Sequence, residues 1–219
     1  MNSIHKLGML GLGGAATATS AYAGINYFQK NKPTISEHLT DNKYLLISSI
    51  DNLAHLKLQW EAEFKSAKEK IKTLIGFTKD SDEEGGQALK EWCESKIKED
   101  YSQGAKHLQE VKSYCVLRKV ESQLTRNNKK ILTHSSEDSG KWDKTYEQRK
   151  KTAQLSPRSQ VGLEGSWPDG DTKTQDLPKI KKWCELKVQS YFLAHEDTYT
   201  NVYNWCTEDG VNVNSPTAQ

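Results

Sequence analysis

Leu89-Lys-Glu-Trp92-Cys93-Glu-Ser-Lys96-Ile97 is written a second time as Ile180-Lys-Lys-Trp183-Cys184-Glu-Leu-Lys187-Val188. Both versions set apolar residues around a Trp-Cys pair at helical spacing, so both read as amphipathic helix. Downstream, Val111-Lys-Ser-Tyr114-Cys115 is answered by Val202-Tyr-Asn-Trp205-Cys206. Upstream, Trp60-Glu-Ala-Glu-Phe64 is answered by Trp142-Asp-Lys-Thr-Tyr146, and Ile35-Ser-Glu-His-Leu39-Thr40 by Val120-Glu-Ser-Gln-Leu124-Thr125. Four landmarks recurring in one order predict two tandem repeat units, 33–118 and 119–219, behind an N-terminal segment 1–32.

The periodicity predicts an all-α fold. Leu53, Leu56, Trp60, Phe64, Ala67, Ile71 and Leu74 form one apolar stripe, read as a single long helix capped by Asp51 or a nearby serine and ended by Gly76. The following TKDSDEEGG (78–86) reads as a polar loop with nothing to bury. Leu89, Trp92, Cys93, Ile97 and Tyr101 mark a second helix, Ser102 to Gly104 a break, and Leu108, Val111 and Cys115 a third. The second unit repeats the plan with a longer connector, 156–178. Its Pro157, Gly162, Gly165, Pro168 and Gly170 predict mobility. Val202 to Trp205 has some strand character and is read as helix because its counterpart is.

Four cysteines permit three pairings. The helix reading favours Cys93 with Cys115 and Cys184 with Cys206. Gly104 and His195 are the midpoints of the two spans, so an antiparallel helix hairpin turning there brings each pair level. Each cysteine is then about 16 Å from its turn, at ~1.5 Å per residue. A disulfide would clamp the open end of each hairpin, which requires an oxidising compartment. The competing readings are zinc ligation, which usually takes C-x-x-C pairs that this chain lacks, and free thiols in an intracellular protein. A catalytic cysteine would need a histidine partner, and His107 and His195 do not recur at equivalent positions. His195-Glu196 does not continue into H-E-x-x-H. Trp60, Trp92, Trp142, Trp183 and Trp205 belong to the landmarks and are read as structural aromatics packed near the bridges. Trp167 lies in the connector and is the aromatic most available to a partner.

Leu7 to Phe28 carry no charge, a length that suits a membrane span. The segment reads as a transmembrane anchor, as a signal peptide cut after Ala21-Tyr22-Ala23, or as a buried soluble helix. Gly11-Leu12-Gly13-Gly14-Ala15-Ala16 matches the dinucleotide fingerprint, but no second strand ending in an acid follows at the required distance, so no nucleotide cofactor is expected. A net charge of only +2, with acids and bases interleaved, argues against nucleic acid as a partner and for solvated helix faces. Hydrophobic residues make up 35% of the chain, enough for a thin helical core and too few for a broad parallel sheet.

An apolar small-residue N-terminus, then L-L, W-[DE]-x-x-[FY], L-K-x-W-C and [YW]-C given twice, resembles the paralogous families of short uncharacterised proteins of haemotropic mycoplasmas. The resemblance covers essentially the whole chain. It implies a membrane or surface protein serving antigenic variation or contact with a host cell-surface protein, and it carries over no catalytic, cofactor or metal residue. The expectation is a non-enzymatic protein tethered to the cell membrane with its bulk outside and no small-molecule substrate evident. The alternative is an intracellular scaffold or metal-binding protein with free thiols.

Overall fold

Where apolar residues recur every third or fourth position the chain is helical, and among the described residues no extended strand forms. The computed structural model describes residues 32–213. These contain nine α-helices: α1 (Ile35–Asp41), α2 (Leu53–Ser66), α3 (Lys68–Ile75), α4 (Asp82–Lys96), α5 (Leu108–Tyr114), α6 (Val120–Arg126), α7 (Ser139–Lys151), α8 (Lys173–Lys187) and α9 (Thr198–Cys206). The fold is all-α with two disulfides, Cys93–Cys115 and Cys184–Cys206. Helices α1 to α5 enclose one core, centred on Ile35, Leu39, Phe64, Leu89 and Val111. Helices α6 to α9 enclose another, centred on Val120, Leu124, Trp142, Ile180 and Trp205. The apolar segment Leu7 to Phe28 lies outside the described residues, and no described helix is long and apolar enough to cross a membrane.

Isolated antiparallel bridges tie each core shut. Thr34 pairs with Asp100 and Leu46 with Val116; later in the chain Lys119 pairs with Tyr191 and Ile131 with Thr207. Among the described residues the positive-φ positions other than glycine are Lys43 and Asn128, and each follows the first helix of its half.

These bridges alter the expected hairpin. The chain leaves the helix after Lys96 because its backbone bonds instead to the entering segment: Ile35 N–H donates to Glu99 O and Tyr101 N–H to Pro33 O. Residues 97–107 are therefore not helical. Cys93 sits in the last turn of α4 and Cys115 directly after α5, so the bond joins the near end of one helix to the far end of the other rather than two points 16 Å from a tight turn. In the second half Val120 N–H donates to Ser190 O and Phe192 N–H to Arg118 O, with the same result for Cys184 and Cys206.

The long helix predicted from Leu53 to Leu74 is two helices broken at Ala67. Ser66 Oγ donates to the Glu63 carbonyl at 2.8 Å, the acceptor that Ala67 N–H would use in a continuous helix. Ala67 N–H turns to Phe64 O instead. The cap is Asn52, whose Oδ1 accepts from Ala54 and His55 N–H. Leu53, placed in the core stripe by spacing, is 78% exposed, because the side chain of the first helical residue leans past the helix end.

Two further expectations are corrected by burial. The tail of the supposed loop 78–86 is the first turn of α4, and Gly85 and Gly86 are buried against α2. A Cβ on Gly86 would lie 2.8 Å from Glu61 N and 2.9 Å from the Trp60 carbonyl carbon, so only glycine lets the two backbones meet. The connector 156–178, expected to be mobile, is packed: Ser156, Val161 and Leu163 are buried, and α8 begins five residues before Pro178.

The halves meet through polar side chains on α2. Gln59 Nε2 donates to Phe192 O, and Gln59 Oε1 accepts from Ala194 N–H. One turn on, the Glu63 side chain, 1% exposed, is held by both Arg118 and Arg126. One turn back, the His55 and His195 rings stack 3.7 Å apart.

Candidate interaction surface

All four cysteines are buried and none is free, the paired Cα atoms being 5.6 and 5.8 Å apart. Trp60, Trp142 and Trp205 are buried in the two cores, while Trp92 and Trp183 are part-buried at their edges. Adjacent helical residues point about 100° apart, so a buried Cys93 or Cys184 turns its tryptophan neighbour towards the rim. Trp92 meets His107 edge-on at 5.7 Å.

Trp167, the aromatic singled out from sequence as available to a partner, is occupied internally. It stacks on Trp205, meets Tyr146 edge-on and donates Nε1–H to Ser156 O at 2.9 Å. Beneath it lies a polar cluster that sequence reasoning missed. The Asp176 carboxylate accepts from Tyr146 Oη at 2.9 Å, Thr172 Oγ1 at 2.7 Å and Arg158 Nη2 at 2.8 Å. Burial pushes the Tyr146 phenol up, keeping it a donor.

Not all charges are solvated. Arg149 is fully buried, donating to the Gly210 and Val213 carbonyls, and burial lowers it to about 10. Asp138 accepts from Lys141 Nζ, Thr133 N–H and Thr133 Oγ1, which hold its carboxyl well below the usual range. Lys141 is raised in turn by Asp138 and Glu208. This cluster fixes the Thr133 carbonyl that accepts Trp142 Nε1–H at 2.8 Å.

A groove of about 560 Å³ lies between α2 and the start of α4. Leu53, Leu56, Trp60 and Phe77 supply an apolar floor. The rim is charged and paired across it, Lys57 with Glu83 at 2.5 Å and Lys79 with Glu84 at 2.8 Å. The hydrogen bond to Glu83 holds the Lys57 ammonium above its ordinary value. Such a groove offers an apolar floor behind a self-neutralised edge. Among the described residues no group of three or more His, Cys, Asp or Glu side chains is placed to hold a metal ion. No protein-family model, curated protein or solved structure matches this chain.

Proposed function

We propose that this protein is a membrane-tethered, non-enzymatic surface protein built of two copies of one disulfide-clamped helical unit, displayed for contact with a host cell or for antigenic variation. The observation that carries the reading is the cysteine usage: every cysteine is in a buried disulfide within its own half, as suits an oxidising exterior. The uncharged stretch Leu7 to Phe28 supplies the tether, and the motif resemblance to the surface-protein families of haemotropic mycoplasmas supplies the context.

The duplication is supported by register. Lys119 follows Thr34 by 85 residues and Ile131 follows Leu46 by the same number; Tyr191 follows Asp100, and Thr207 follows Val116, by 91. The left-handed residues Lys43 and Asn128 are again 85 apart. Unrelated helical segments would not share bridges, disulfides and backbone exceptions at fixed offsets.

Protease applied to intact cells tests display. The part beyond Lys30 should be removed, and full protection there would sink the reading. Thiol labelling before and after reduction is the companion measurement: four thiols reactive only after reduction are expected, and four free ones would favour an intracellular protein instead.

A further inference from the structure

The junction between the halves contains a cleft of about 290 Å³ floored by Ala62 and Phe192 and edged by Lys65, Gln123, Asn127 and Tyr199. Several of its polar groups are donors. Gln123 is only 4% exposed, and its Oε1 accepts from Arg118 Nη1 at 2.5 Å. A guanidinium can only donate, so this contact fixes the carboxamide and leaves Nε2–H₂ without a partner among the described residues. Asn127 Nδ2 lies 2.7 Å from Tyr199 Oη. The amide N–H donates and the phenol oxygen accepts, so the pair keeps the second Asn127 N–H and the Tyr199 O–H to spare. The Lys65 ammonium has no ion pair or hydrogen bond among the described residues.

Charge behind the cleft is also unbalanced. Arg118 and Arg126 share the single carboxylate of Glu63, and both guanidinia touch Ser66, whose hydroxyl is already committed to the Glu63 carbonyl. With Lys65 added, the wall carries three cations against one anion. Positive potential, unused donors and an aromatic floor together describe a site for an anion on an apolar body.

We propose that this cleft binds a small carboxylate whose body is apolar. The carboxylate is taken by Lys65, Gln123 and the Asn127–Tyr199 pair, and the body lies on Phe192 and Ala62. The site lies apart from the α2–α4 groove and does not depend on where the protein is displayed.

NMR titration of the full chain with sodium benzoate, and separately with neutral benzamide, tests it. Benzoate should shift the side-chain amides of Gln123 and Asn127 saturably, and benzamide should not. Gln123→Glu keeps the oxygen facing Arg118 but replaces the donor with charge, and Lys65→Met removes the ammonium from an exposed position. Each should weaken benzoate binding roughly tenfold or more, the loss of one charge-assisted hydrogen bond. If Gln123→Glu perturbs the fold, Lys65→Met, on an exposed side chain, still decides. No saturable response to benzoate, an equal response to benzamide, or binding unchanged in Lys65→Met would overturn the proposal.

Discussion

Tyr146 donates its hydroxyl to the buried carboxylate of Asp176, and the corresponding positions of the first half hold the bare ring of Phe64 lying on Gly85. On the proposed duplication, this is one contact made in two ways. Gly85 and Gly86 let α4 touch α2 directly. Asp176 and Leu177 hold α8 off α7, and the connector with Trp167 fills the space.

Gly86→Ala should destabilise the protein by about 1–3 kcal/mol, since the new methyl meets backbone that has no rotamer to yield. Gly140→Ala, where nothing lies within 4 Å, should be neutral or slightly stabilising. Urea unfolding of the two variants side by side gives the comparison.

Asp176→Ala should be worse, about 3 kcal/mol, because it strands the Arg158 guanidinium in a part-buried site and frees the Tyr146 hydroxyl. Tyr146→Phe leaves Asp176 with Thr172 and Arg158 and should cost only about 1 kcal/mol. A smaller loss for Asp176→Ala than for Tyr146→Phe would show that the ion pair does not hold the connector.

Removing either disulfide by paired Cys→Ala exchange should cost about 3 kcal/mol, the loop-closure value for a separation of 22 residues. The separations are equal, so the two losses should agree to within the cost of the cavities left. Thermal melts of the two double variants check this.

Lys43 adopts a left-handed backbone at the place where the second half has Asn128. Asparagine tolerates that conformation better, so Lys43→Asn should stabilise by roughly 0.5–1 kcal/mol. Denaturation midpoints read the change, and a fall in stability would count against the equivalence of the two positions.

Asp138 gives the acid response a definite sign. Its carboxyl is held below its unfolded value, so its contribution is present above about pH 4 and is lost as pH falls towards the lower folded value. Asp138→Asn should therefore flatten the acid limb of a stability–pH curve while leaving the neutral region less stable than wild type throughout. A variant curve parallel to wild type below pH 4 would assign the acid response elsewhere.

Much of the fold was legible because the signals are local and repeated. Helical stripes, the Trp-Cys landmarks and two equal cysteine spacings needed no tertiary information. What escaped depends on partners distant in sequence. A Gly-Gly pair reads as a breaker until the α2 backbone is seen against it. Ser66 ends a helix only because its hydroxyl captures the Glu63 carbonyl. Glu63 fell under the general reading of charges as solvated helix faces, although it and Gln59 sit at stripe spacing between Leu56 and Phe64, which was the available clue. The α2–α4 groove was not legible: Leu56 and Trp60 read only as core stripe, and Phe77 joins them through a turn whose direction no spacing encodes.

Arg118 belongs to both halves at once. Its carbonyl accepts from Phe192 in the second, while its side chain reaches Glu63 in the first. There is consequently no slack at the boundary and no segment on which one half could swing against the other. Two modules joined in this way should melt in one calorimetric transition. Severing the chain on either side of Arg118 should not yield two stable fragments, because one of them is left without the residue that closed it.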